Sequence, residues 1–118
     1  MNATARAARS YIRTAIRTRR AQRTATRAVA TGTATAVAHL TAAGIAPADA
    51  ERFAGAFSRG VTPTATTTGR IKLKGRTTKR VQVKLYDLAA FTARALVYRP
   101  KDKAAAAKFA QMAYRLAA

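Results

Sequence analysis

The sequence predicts a mostly α-helical α+β domain carrying one β-hairpin. Two observations carry that prediction. Alanine fills 32 of the 118 positions, and alanine is the strongest helix former. One short stretch, 70–86, instead alternates apolar and polar residues at the period of a strand. The chain divides into a basic N-terminal helix or arm over 1–27 and a single small helical domain over 28–118, with the hairpin at about 70–86.

The first element is a helix over 1–27 that holds eight arginines and no acid. At 100° per residue, Arg6, Arg9, Arg13, Arg17, Arg20 and Arg27 fall within an arc of about 80°. Ala8, Tyr11, Ala15, Gln22, Ala25 and Val29 lie opposite, and Ile12 and Ile16 flank the stripe. With no acid at i±4 the row cannot exist for intrahelical salt bridges, so it calls for phosphates or another anionic surface. Residues 28–48 are uncharged up to Ala48. Val29, Val37, Leu40 and Ile45 are too few for membrane insertion, so the segment reads as a buried helix. Gly44 suits the left-handed position after that helix, with Ile45 making the hydrophobic contact beyond it.

Pro47 suits the first position of the next helix, and Asp49 and Glu51 favour its positive end. Phe53 and Phe57 point inward at i, i+4, with Ala50 and Ala54 allowing close approach, and Arg59-Gly60 closes the helix. Residues 61–69 (VTPTATTTG) read as a linker or loop. In the hairpin, Ile71, Leu73, Val81, Val83 and Leu85 share one face. Arg70, Lys72, Lys74, Arg80 and Lys84 share the other, Gly75 to Lys79 forms the turn, and Arg76 and Lys79 sit at its tip. Asp87 then N-caps a helix over 88–98 whose inward row is Leu88, Phe91 and Ala95. A last helix from about 102 to 116 buries Phe109, Met112 and Leu116.

The composition excludes more than it selects. The large aliphatics and phenylalanine make up only 20 residues, so the core is thin, and 23 Lys+Arg against 4 Asp+Glu give a net charge of +19. Self-repulsion of that size leaves the domain marginal until a polyanion neutralises it. There is no cysteine and one histidine, His39. Thiolate chemistry, Cys-ligated metals and His-rich metal sites are therefore excluded, and no cofactor is expected. With Asp49, Glu51, Asp87 and Asp102 as the only acids, and Ser10 and Ser58 the only serines, an enzyme is not expected. An enzyme acting on nucleic acid would need Asp87, Asp102 or His39 to converge. The Arg-, Ala- and Thr-rich bias fits a GC-rich bacterial or phage genome.

Helices followed by a basic hairpin and further helices suggest a winged, helix-turn-helix-like architecture with a long basic N-terminal helix. Its expected partner is nucleic acid, duplex DNA in preference to RNA, because no aromatic stacking platform faces outward on the hairpin. Arg6, Arg9, Arg13, Arg17 and Arg20 would clamp phosphates. Arg70, Lys72, Lys74, Arg76, Lys79, Arg80 and Lys84 would form ribbon contacts, and base reading falls to Arg76, Thr77 and Thr78 or to Arg52 and Arg59. The function expected is a DNA-binding regulatory or accessory protein, cytoplasmic and nucleoid-associated or within a phage or nucleoprotein particle. The Ala/Tyr face of the first helix is a candidate for pairing two chains. The alternatives are a basic assembly component of a virion- or ribosome-like complex and a shape-specific RNA-binding protein; no membrane partner is expected.

Overall fold

A computed structural model describes residues 3–75 and 77–118. Among these, five helices and three antiparallel strands follow in the order α1 (Ala3–Ala30), β1 (Thr33–Ala34), α2 (Ala36–Ala42), α3 (Pro47–Ser58), β2 (Ala65–Lys72), β3 (Thr78–Asp87), α4 (Leu88–Ala95) and α5 (Lys103–Ala117). The sheet order is β1-β3-β2. The mixed α+β class expected from the sequence is therefore observed.

α1 is about 42 Å long at 1.5 Å per residue. It packs only along its second half: Ala25 is buried and Ala15, Thr18, Ala21, Ala28 and Val29 are half-buried. Before Ala15, every described position except Ala5 is exposed. The projecting helix and hairpin give a radius of gyration of 16.2 Å, against about 13 Å for a compact domain of this length. Thr14, Thr18 and Thr26 donate their hydroxyls to the carbonyls of Ser10, Thr14 and Gln22.

The sequence suggested a single helix for the uncharged segment, and the structure divides it. α1 runs on to Ala30, the chain turns at Gly32 with φ 112°, and Thr33 and Ala34 pair with Asp87 and Tyr86. Thr35 then N-caps α2 by accepting from the Ala38 amide. α2 stops where predicted. Gly44 has φ 103°, the Ile45 amide donates to the Leu40 carbonyl, and Ile45 is buried. A Cβ at Gly44 would also lie 3.0 Å from Arg115 Nη2, whose guanidinium caps α2 by donating to the Ala43 carbonyl.

The core gathers Leu40, Phe53, Phe57, Phe91, Phe109 and Met112 from α2, α3, α4 and α5, with Tyr86 from β3. Its aromatic rings interlock: Phe109 meets Phe53 edge-on at 5.6 Å and Tyr98 at 5.3 Å, and Phe57 contacts Phe91 at 5.4 Å. His39 is 2 % exposed and stacks on Phe91 at 4.9 Å. Its Nε2 lies 2.6 Å from the Tyr86 carbonyl oxygen, an acceptor only, so Nε2 carries the proton and donates. This bond ties α2 to the centre of the sheet.

Two further expectations are corrected. The threonine-rich segment is a loop only over 61–64: Ala65–Lys72 is a strand paired along its whole length with β3. β-Branched threonines suit a pleated surface once a partner strand is supplied. Gly69 is the position that permits the close pairing, since a Cβ there would meet Val83 Cγ2 at 2.7 Å. The helix after Asp87 is shorter than expected, ending at Ala95 with Leu96 as its C-cap. Leu88 does not point inward but stands exposed, while Phe91 and Ala95 are buried.

Replacing Phe109 by alanine is expected to cost about 3–5 kcal/mol, a large fraction of the stability of so thin a core. Replacing exposed Leu88 by alanine is expected to cost less than about 0.5 kcal/mol. Urea titration followed by circular dichroism checks both.

Candidate nucleic-acid interface

The cations of this chain sort into two groups by what they touch. Over the helical core, five cations are engaged by protein atoms, while Arg59, Lys101 and Lys103 are exposed. Arg52 lies 3.6 Å from Asp102 and over the Phe53 ring, and Lys108 pairs with Asp49 at 3.3 Å. Arg94 donates to the Phe57 carbonyl, Arg99 to those of Ala95 and Tyr98, and Arg115 to that of Ala43. Among the described residues, no arginine of α1 and no cation of the hairpin has an acidic partner.

The hairpin register explains how its cations come together. Arg70 is the direct partner of Arg80, Lys72 of Thr78, Thr68 of Gln82 and Thr66 of Lys84. Directly opposed residues share a face, so Arg70, Lys72, Arg80 and Lys84 form the basic side predicted from alternation. All four are exposed. The Leu73 amide donates to the Thr77 carbonyl, which makes that pair hydrogen-bonded. Counting back by alternation, Arg70 and Arg80 occupy a non-hydrogen-bonded position, where Cα atoms approach to about 4.5 Å and side chains are closest. Like charges directly opposed at such a position repel, and an external anion relieves that repulsion. Successive pairs on this face are about 6.8 Å apart.

Three polar residues of the hairpin differ from expectation. Lys79 is not at the tip but within β3, opposite Ile71 on the other side of the ribbon. Thr78 likewise belongs to the strand. Lys74, expected on the basic strand face, instead lies in the turn beyond β2 and is exposed; Arg76, expected at the tip, lies outside the described residues. The apolar side is only partly covered: Ile71 and Leu73 are 45 % and 44 % exposed, whereas Val81, Val83 and Leu85 are half-buried.

On α1, Arg6, Arg9, Arg13 and Arg17 line one shallow groove together with Ser10, and Arg20 is exposed on the same side. Arg19 and Arg23 are as exposed as these. They fall outside the arginine stripe, so helical periodicity does not single them out, although they carry the same charge on the same projecting helix. Arg52 and Arg59, expected as base readers, are exposed on α3 and at its C-cap. Arg52 is engaged by Asp102, and Glu51 stands exposed beside it.

The residues that an enzyme would need are spread over structural tasks. Asp87 Oδ1 accepts from the Ala90 amide at 2.8 Å as N-cap of α4. Asp102 Oδ1 accepts from the Ala104 amide as N-cap of α5, and His39 is held in the core. Among the described residues, no group of three His, Asp or Glu side chains is placed to hold a metal. No described helix is long and apolar enough to cross a membrane.

Replacing Arg80 by glutamine removes the like-charge pair without touching the core. The free protein is expected to gain roughly 0.2–1 kcal/mol at low salt, with the gain shrinking as salt screens the pair. Thermal melting of both proteins over a salt series checks this.

Compared with known protein families, with curated proteins and with solved structures, the chain matches none.

Proposed function

We propose that this protein binds duplex nucleic acid, DNA in preference to RNA, as a regulatory or accessory protein. One observation carries the reading: the cations of α1 and the hairpin lack acidic partners among the described residues, and Arg70 faces Arg80 across the ribbon. Duplex DNA offers one phosphate charge per roughly 1.7 Å of axis, so it can neutralise both a helical row and a ribbon of cations.

The element order supports a winged helix-turn-helix reading. In it α2 and α3 are the helical pair, β2 and β3 the wing, and β1 closes the sheet in the order β1-β3-β2. The wing would bring Arg70, Lys72, Arg80 and Lys84 to a phosphate strand. α3 has poor chemistry for a base reader, because Arg52 is engaged and Glu51 would meet phosphate with its own negative charge. Against a single-strand RNA reader stands the ribbon itself: its one aromatic, Tyr86, is buried and cannot stack on a base.

Fluorescence anisotropy against duplex DNA, duplex RNA and single-stranded DNA over a salt series tests the reading. Engagement of about eight phosphates gives a log–log slope near −7 on duplex DNA, with the tightest binding there. Equal and weak binding to all three would favour a basic assembly component. Changing Lys72, Lys74 and Lys84 together to glutamine is expected to flatten the slope by about 0.9 for each phosphate that these lysines neutralise. An unchanged slope would remove the hairpin from the interface.

A further inference from the structure

The feature of α1 that phosphate binding leaves unexplained is a pair of isoleucines. Ile12 and Ile16 are 55 % and 43 % exposed and lie one turn apart, away from the packed seam of Thr18, Ala21 and Ala25. Residues three and four apart are neighbours on a helix. Ile16 therefore adjoins Ile12, Arg13, Arg19 and Arg20, and Ile12 adjoins Arg9. A β-branched apolar pair stands in water, flanked by guanidinium groups on both sides.

A pure phosphate clamp has no use for these side chains, and a second copy of the same helix would bring arginine against arginine. A ligand that fits must be apolar at its centre and anionic at its edges. The B-DNA major groove has that cross-section: it is about 12 Å wide, walled by phosphates, and carries the thymine methyl groups on its floor. A helix with its side chains is about 10–12 Å across, so it enters this groove. The major groove of A-form RNA is too narrow for it, and uracil lacks the methyl.

We infer that α1 is the groove-reading helix, placing Ile12 and Ile16 against thymine methyl groups while the flanking arginines hold the two phosphate walls. This rests on the proposed duplex binding and assigns base contact to α1 instead of α3. α1 is exposed on nearly every side before Ala15. Beyond it Ile16, Arg19 and Arg20 stay exposed on the side away from the packed seam, which leaves this face open to lie along a groove. Discrimination by apolar contact favours A·T-containing sites without reading a full hydrogen-bond code.

The test compares two A·T-rich duplexes of one sequence, one of them with every thymine replaced by deoxyuridine. They carry the same phosphate charge and differ only in the methyl groups. The intact chain is expected to bind the thymine duplex about fourfold more tightly for each methyl covered, the worth of one buried carbon. I12A/I16A keeps all the arginines and adds the better helix former; it is expected to retain the salt slope and bind both duplexes equally. Tight duplex binding by the intact chain without a thymine preference would overturn the inference and leave the proposed function standing. A preference that survives in I12A/I16A would overturn it too, because the methyls would be read elsewhere. Failure to bind either duplex would overturn both, and circular dichroism of the double variant confirms that α1 is still helical.

Discussion

Positive charge without internal counter-charge is the constraint on which this structure depends. Four acids cannot neutralise 23 Lys and Arg side chains, and the fold uses them locally. Asp49 and Asp102 neutralise Lys108 and Arg52 where α3 meets α5, while Asp87 and Asp102 cap α4 and α5. Most of the remaining cations are carried away from the core on two projecting elements, α1 and the β2–β3 ribbon. Distance and solvent then reduce repulsion within the free protein. The same separation leaves those cations open to an external anion.

The core that anchors these projections is small and held by specific contacts. The Phe53, Phe57, Phe91, Tyr98 and Phe109 rings interlock at its centre. The His39 bond to the Tyr86 carbonyl fixes α2 to β3, from which the ribbon extends. Arg115 and Arg94 cap carbonyls at the ends of α2 and α3, so these cations add to the core what they would otherwise cost it. Stability and proposed function thus draw on different arginines: one set donates to backbone carbonyls and the other faces solvent.

How much of this the sequence disclosed follows from the range of the interactions. The two faces of the ribbon are legible because alternation is local, and the end of α2 is legible because Gly44 and Ile45 carry their own signal. The threonine-rich half of β2 is not, since it becomes a strand only against β3. β1 is two residues long and has no period to detect. The pairing of Arg70 with Arg80 depends on the length of the turn, which sets the register and leaves no mark in the alternation itself. The engagement of Arg52 by Asp102 joins distant parts of the chain, so local sequence makes α3 look freer than it is.

The most direct test of the interface is a titration of the isotope-labelled protein with duplex DNA, following assigned backbone amide resonances. Large shifts along the exposed face of α1 and on β2 and β3, with α5 and the buried face of α4 undisturbed, are the expected result. Shifts concentrated on α4 and α5, with α1 and the ribbon silent, would contradict the assignment of the interface to the two projecting elements.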